Sequence, residues 1–214
     1  MDALRDQAAQ PAPILIIACG ALAHEIIALQ ELNGWQHIDL QCLDAELHNR
    51  PQLIAGKLRK KIAQFRHQYD NIFVAYAECG SGGEIDKLLQ EEGIDRLPGA
   101  HCYSFFAGEK RFNQIAEQEL GSFYLTDFLV QHFDRIMIKG LKLDVYPQLR
   151  DQFFAHYTRV VYLSQQDNAD LLARAQSAAV ALGLEFKHEP CGYGGLQTGI
   201  ELQVLKFGCY NPLM

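Results

Sequence analysis

Three cysteines stand at positions where a thiol could do chemistry. Cys19 and Cys79 each begin a Cys-Gly pair after a run of apolar residues, and Cys102 follows a third short connecting segment. A helix N-terminus lowers the pKa of a thiol, and the thiolate is both the nucleophile and the metal ligand. If helices follow these pairs, we expect Cys19 and Cys79 to be thiolates. Three thiolates could hold an iron–sulfur cluster with one iron left open. A single zinc or iron is the alternative metal.

The same cysteines have a structural interpretation that the sequence leaves open. A buried cysteine packs as a small apolar side chain. The chain also lacks a Cys-x-x-Cys pair, so spacing alone does not indicate a metal.

Two histidines and one glutamate could move protons near these thiols. His48 follows the second predicted strand, and His101 adjoins Cys102. An unperturbed histidine titrates near neutral pH, which suits a proton carrier. Glu78 precedes Cys79 at the end of a buried strand, where burial is expected to raise the pKa of a carboxyl group. The structural alternatives are a cap or ligand role for His48 and a solvent-facing loop position for His101.

Glycine-rich turns suggest a second kind of site. Gly20 permits a tight turn after Cys19, and the run Gly80-Ser81-Gly82-Gly83 could present backbone N–H groups to an anion. These turns lack the lysine of a P-loop and a complete G-x-G-x-x-G pattern. In the competing interpretation the chain is a non-metal binding protein. The turn at Gly80 and the loop Gly192-Tyr193-Gly194-Gly195 then cradle an anionic small molecule or a corrinoid tail, and the cysteines are structural.

The elements that must position these residues alternate along the chain. Apolar runs predict strands at residues 14–18, 37–43, 72–77, 159–163 and 185–188, and helical periodicity follows most of them. Strands of this kind are typical of a parallel sheet covered on both faces. We therefore predict a single three-layer α/β domain with a mostly parallel central sheet and helices on both faces. Ligands bind beyond the carboxyl ends of such strands, which is where both Cys-Gly pairs lie.

Other segments are less regular. Residues 94–100 form a short connection with room for a small strand, and residues 122–130 are unusually aromatic. From there to residue 157 the pattern is mainly helical, with a loop at 143–147, and residues 199–207 fit an edge strand or a short helix. Three strand-turn-helix units begin near residues 14, 72 and 160. In the third unit Ser164 occupies the position that a cysteine holds in the first two.

Composition excludes some functional classes. The 214 residues carry a formal net charge of −7 without a block of like charges, which argues against a nucleic-acid or anionic-membrane surface. Hydrophobic residues make up 49% of the chain, enough for a substantial core. We predict a flexible leader at residues 1–13, one domain at 14–207 and a tail at 208–214. Cysteines without a secretory cue predict a cytoplasmic protein.

Five motifs in one order give the chain a family resemblance over residues 14–205. It resembles the domain-of-unknown-function 1638 family through Ala18-Cys19-Gly20-Ala21-Leu22, Leu47-His48-Asn49-Arg50-Pro51, Glu78-Cys79-Gly80-Ser81-Gly82-Gly83, Gly99-Ala100-His101-Cys102 and Gly121-Ser122-Phe123-Tyr124-Leu125-Thr126. Cys19, Cys79 and Cys102 match the family pattern. His101 stands where the family often has aspartate.

The resemblance implies a metabolic setting. Some family members are associated with corrinoid methyl-transfer systems, which implies a small-molecule substrate from methyl-group or corrinoid metabolism and a corrinoid methyl-transfer protein as partner. The resulting hypothesis is a metal or cluster on Cys19, Cys79 and Cys102 with one position open to substrate. Whether the chain is an enzyme or an accessory factor stays open.

Overall fold

The first half of the chain builds a four-stranded parallel sheet with the strand order β2-β1-β3-β4. The structure, a computed structural model, describes residues 11–118 and 120–209. The strands are β1 (Ile14–Cys19), β2 (Ile38–Leu43), β3 (Asn71–Ala75) and the short β4 (Asp95–Arg96). The predicted leader lies mostly outside the described residues, and the predicted tail lies outside them beyond Cys209.

Helices cover both faces of this sheet. Helices α1 (Ala23–Asn33), α4 (Tyr103–Ala107) and α9 (Gly194–Cys209) pack on one face, and α2 (Ile54–Phe65) and α3 (Glu84–Glu92) pack on the other. Side chains of β1 alternate between the faces, with Ile16 in the first cluster and Ile17 in the second. Both faces need apolar side chains, which is why β1 is a continuous apolar run.

The second half builds a smaller parallel sheet with the order β5-β6-β7. Its strands are β5 (Ser122–Leu125), β6 (Arg159–Ser164) and β7 (Glu185–Pro190). Helix α8 (Ala169–Leu182) packs on one face and α5 (Glu109–Gln118) on the other. The short helices α6 (Asp127–Gln131) and α7 (Leu149–Phe153) lie between β5 and β6 in sequence.

The prediction of an α/β fold with parallel strands and flanking helices is confirmed, with one correction. The described strands form two sheets rather than one central sheet. The two-residue β4 ends the first sheet, and the α4–α5 segment follows it. Phe105 and Phe106 of α4 join the core of the first sheet, while Phe112 and Ile115 of α5 join that of the second. The two sheets thus have separate cores, and adjoining helices contribute to each.

The structure settles two segments whose element type the sequence left open. Residues 122–125, which the sequence marks only as part of an aromatic stretch, form β5, with Phe123 packed on one face of the second sheet and Tyr124 on the other. Residues 199–207 belong to α9, which selects the helix from the two predicted alternatives. Within the described ranges, no helix has the length and apolar character needed to cross a membrane.

Candidate functional site

The carboxyl ends of β1 and β3 bring two of the cysteines to one edge of the first sheet. The strands pair in parallel with Ala18 opposite Ala75, so Cys19 and the residues after Ala75 leave the sheet side by side. The chain after β3 continues alongside the chain after β4. Glu78 and Cys79 donate their backbone N–H groups to the carbonyls of Gly99 and Ala100, at 3.1 and 3.0 Å. This pairing places Cys79 beside the segment that carries Cys102.

All three cysteines line one cavity, and His48 lines it as well. The space open to the centre of a water molecule is about 30 Å³. The rest of the wall is mainly apolar and comes from both halves of the chain: Ala21, Leu22, Ala45, Ile54, Tyr76, Ala77, Tyr103, Phe106, Thr126, Phe128, Leu129 and Ile136. The sequence did not single out Tyr76, Phe128 or Leu129, whereas Thr126 belongs to the fifth motif of the family resemblance. Tyr76 could have been found from the sequence, because its side chain places a hydroxyl group within an apolar run.

The thiols are neutral at pH 7, which corrects the expectation of thiolates. Burial raises the pKa of Cys19 and Cys102, and it raises that of Cys79 to about 12. Cys79 and Cys19 raise the pKa of Cys102 further by charge repulsion. All three residues are half-buried as a whole, while burial of the thiol group is the largest cause of each pKa shift. A 3₁₀ turn leads from Cys19 into α1, and α3 begins five residues after Cys79. A backbone hydrogen bond from Ala21 lowers the pKa of Cys19, but burial outweighs it.

Tyr76 places an unpartnered hydroxyl in the cavity wall. The residue is 2% exposed, and its oxygen has no hydrogen-bond partner among the described residues. The Cys19 thiol is close enough to interact with this hydroxyl, and Tyr76 lowers the pKa of Cys19, although the pair does not meet the geometry of a normal hydrogen bond. Burial raises the pKa of Tyr76, and the neighbouring Cys19 raises it further. Buried polar groups nearly always have a partner, so this hydroxyl is available to a bound molecule.

Cys79 adopts a backbone conformation that side chains other than glycine rarely take. Its φ angle is +53°. Such residues cost of order 1–3 kcal/mol and cluster at functional sites. The strained backbone of Cys79 and its place in the cavity wall both suggest that this residue has a role beyond packing.

Glu78 stabilises its own turn, and its predicted raised pKa is wrong. Its carboxylate accepts hydrogen bonds from the backbone N–H of Gly80 at 2.8 Å and of Gly83 at 2.9 Å, and from Ser81 Oγ at 2.8 Å. These bonds, led by that from Gly83, lower its pKa to about 2. The amides expected to hold an external anion therefore bind an anion of the chain itself. A ligand role for Gly80, Ser81, Gly82 and Gly83 stays a prediction.

The two histidines differ in position. His48 lies in the 3₁₀ turn Ala45–Asn49, where it is exposed and also lines the cavity. Loss of water around the ring lowers its pKa, and His101 lowers it as well. His48 is therefore neutral at pH 7 and can accept a proton. His101 is exposed, close enough to affect His48, and is not among the cavity-lining residues.

The thiols share a cavity without sharing a coordination sphere. Within residues 11–118 and 120–209, no three Cys, His, Asp or Glu side chains are placed to hold a metal ion. Cys42 on β2 and Cys191 after β7 do not line this cavity. A metal would need the three thiols to rotate toward a common point, and their donor chemistry suits soft metals.

The second glycine-rich loop serves helix packing. A Cβ on Gly194 would lie 1.9 Å from the carbonyl oxygen of Phe106, and one on Gly195 would lie 3.1 Å from that of Phe105. The loop therefore lets the start of α9 approach the backbone of α4, which carries Phe106 into the cavity wall.

Gly20 is needed for a close approach, and this gives a testable prediction. A Cβ there would lie 2.9 Å from the carbonyl oxygen of Leu43 and 3.3 Å from the backbone nitrogen of Ala45. We expect Gly20→Ala to destabilise the protein by about 1–3 kcal/mol in urea unfolding, because backbone must move. Gly56→Ala in α2 is the control. A Cβ at position 56 would have no neighbouring atom within 4 Å, so Gly56→Ala should stabilise the protein by about 1 kcal/mol. Equal effects would contradict this account.

The comparisons with known proteins report a family and one distant structure. The family described as "Protein of unknown function (DUF1638)" matches residues 42–200. Among curated proteins, none matches the chain. The ornithine carbamoyltransferase from Pyrococcus furiosus is a solved structure that matches with 11% identity and a TM-score of 0.25, over 84% of this chain and 54% of that one. The chain thus spans about half the length of that protein, and likeness at this level says nothing about activity.

Proposed function

The chain belongs to the family of proteins of unknown function DUF1638, and we propose that Cys19, Cys79 and Cys102 bind a thiophilic metal or an iron–sulfur cluster that faces a small molecule. The observation that carries this proposal is the convergence of three thiols, from three separate connections, on one cavity. A packing role would not require the three to meet at the carboxyl edge of a parallel sheet, where ligands bind.

The electrostatics of the cavity support a cation. Burial and mutual repulsion both raise the pKa values of these thiols. A metal cation offsets both effects, because it is attracted to each thiolate and replaces lost hydration. Binding would therefore release protons and be tighter at higher pH.

Three protein ligands leave room for a substrate. With a fourth position open, a bound metal acts as a Lewis acid toward a small molecule. Tyr76 would offer its unpartnered hydroxyl to that molecule, and the neutral His48 at the mouth would accept a proton from it. His101 neighbours His48 and would pass the proton to solvent. The family resemblance supports a substrate from one-carbon or corrinoid metabolism, with a corrinoid methyl-transfer protein as partner.

Metal content of the purified protein tests this proposal. We expect iron or zinc in the native chain after anaerobic preparation, and a loss of most of it in Cys19→Ser, Cys79→Ser and Cys102→Ser. Cys42→Ser and Cys191→Ser are matched controls, since both replace cysteines outside the cavity wall, and should keep the native content. An absorption spectrum would distinguish a cluster from a single zinc. Equal metal in all variants, or none in the native protein, would refute metal binding.

A second candidate is a metal-free cavity for a small molecule or corrinoid group, with structural cysteines. Two observations favour it: the mainly apolar wall and the absence, in the described part of the chain, of three ligand groups placed around one point. A metal-free native protein that retains a small molecule, detected by mass spectrometry of the denatured sample, would select this function. In that case Cys19→Ser would leave the retained molecule in place, and Tyr76→Phe would reduce it.

A further inference from the structure

A second cavity opens at the carboxyl edge of the β5-β6-β7 sheet. It shares no lining residue with the cysteine cavity and leaves about 450 Å³ open to the centres of water molecules. Ser164 at the end of β6, His188 in β7 and the first residues of α8 line it. Ligands of parallel sheets bind at this edge. Ser164 is also the residue that stands in the cysteine position of the third strand-turn-helix unit, and the proposed function leaves it unused.

Ser164 and His188 form a hydrogen-bonded pair. Ser164 Oγ lies 2.9 Å from His188 Nε2. A nucleophile and a base within this distance satisfy the geometric condition for activating a hydroxyl group. Ser164 is 5% exposed and His188 is half-buried, so the pair is reached through the cavity rather than from the open surface.

The imidazole of His188 is held in place by a second ring. Tyr162 stacks on it, with ring centroids 5.3 Å apart and planes at 19°. Tyr162 donates its hydroxyl to Asp127 at 2.7 Å. Asp127 also accepts the backbone N–H groups of Gln165 and Gln166, each at 3.1 Å. Tyr162 and Asp127 are buried, so the ring that packs against His188 is itself fixed and constrains the plane of the imidazole.

The N-terminus of α8 supplies donors on the same wall. The side chain of Asn168 accepts from the backbone N–H groups of Asp170 and Leu171 at 3.0 and 3.1 Å. The backbone N–H groups of Asp167, Asn168 and Ala169 have no acceptor within the described residues, and these residues line the cavity. A helix of 14 residues carries a partial positive charge at this end. Such donors stabilise negative charge that develops during a reaction.

We propose that Ser164 is a nucleophile for small carboxylic esters and that His188 is its base. Ser164 Oγ bonds to the carbonyl carbon while His188 Nε2 takes the hydroxyl proton. The ester C–O bond then breaks, and His188 returns the proton to the leaving alcohol. Water, deprotonated by His188, bonds to the acyl carbon, and the bond from that carbon to Ser164 Oγ breaks. A carboxylic acid is released, and His188 returns the proton to Ser164 Oγ. The carboxylate of Asp167 borders the cavity and disfavours anionic esters.

Covalent labelling of the full chain tests this site. A fluorophosphonate probe forms a phosphorus–oxygen bond with an activated serine and releases fluoride. We expect the wild type to gain one probe mass, mapped to Ser164 by peptide sequencing, and Ser164→Ala to gain none. His188→Gln should slow labelling by about 100-fold or more, because a positioned general base typically accelerates a reaction by at least that factor. The labelling rate should also depend on pH in the wild type and lose that dependence in His188→Gln, which a structural role would not produce.

Matched variants separate the site from general reactivity. Ser177→Ala removes another α8 hydroxyl, which bonds to the carbonyl of Ala173, and His67→Gln removes an exposed histidine. Both should label as the wild type does. The rate of p-nitrophenyl acetate hydrolysis should be reduced in the same variants that label slowly. Thermal melting checks that each variant is folded. A label on another residue, unchanged labelling of Ser164→Ala, or no labelling of the folded wild type would overturn the proposal.

Discussion

Glu25→Gln should remove a pH-dependent loss of stability that the wild type shows between about pH 4.5 and 7. Glu25 is 3% exposed, and its Oε2 atom has no hydrogen-bond partner among the described residues. Burial, and then repulsion by Asp127, raise its pKa from 4.5 to about 7. Tyr193 also lies near both carboxyl groups. The ionised carboxylate is therefore disfavoured in the folded state.

The direction in which stability changes with pH follows from proton binding. Between these pH values the folded protein holds a proton on Glu25 that the unfolded chain has released, so the free energy of unfolding falls as pH rises. The shift corresponds to a loss of about 3 kcal/mol above pH 7, at 1.36 kcal/mol for each pH unit. At pH 5 most of this stability is present. A glutamine carries no charge at either pH, so the variant should be the more stable protein at pH 8.

Denaturant unfolding at several pH values measures this effect. The free energy of unfolding is compared at pH 5, 6, 7 and 8 for the wild type, Glu25→Gln and Glu31→Gln. Glu31 is an exposed residue of the same helix, and its replacement should keep the slope of the wild type. A wild type without this slope, or a Glu25→Gln variant that retains it, would show that Glu25 is not the buried carboxyl responsible.

Gly194→Ala should destabilise the protein by about 3 kcal/mol or more, the upper range for inserted atoms that force backbone to move. A Cβ at this position would lie 1.9 Å from the carbonyl oxygen and 2.9 Å from the carbonyl carbon of Phe106, and the φ angle of Gly194 is +37°. Both neighbouring atoms are backbone, so α9 and α4 would have to separate. Because Phe106 and Tyr103 of α4 line the cysteine cavity, the variant should also weaken whatever binds there.

Gly192→Ala isolates the packing effect from the backbone effect. Gly192 has a φ angle of +64° and nothing within 4 Å of its Cβ position. It should cost only about 1–2 kcal/mol, from the left-handed backbone alone. Urea unfolding and thermal melting of the two variants give the difference. If Gly192→Ala were as damaging as Gly194→Ala, close packing of α9 on α4 would not be the cause.

Local patterns in the sequence determined the element types. Strands β1, β3 and β6 are buried on both faces, so each is a continuous apolar run whatever its neighbours in the sheet. Helix α8 carries its start signal in Asn168, whose side chain caps two backbone amides. The position of both Cys-Gly pairs after strands also follows from the pattern. In a parallel sheet every carboxyl end lies at the same edge, so Cys19 and Cys79 could be assigned to that edge without a structure.

Tertiary structure alone decided which strands pair and what surrounds each side chain. The division into two sheets depends on α4 and α5 packing between them, and the pairing of β5 with β6 joins segments more than 30 residues apart. Ser164 meets His188 only through the pairing of β6 with β7. Glu78 and Glu25 show the physical reason. Both are carboxyl groups beside a Cys-Gly turn or in the helix after one, yet hydrogen bonds lower the pKa of Glu78 while burial raises that of Glu25. A residue's type is local, whereas its solvation and partners come from distant segments that meet only in the folded chain.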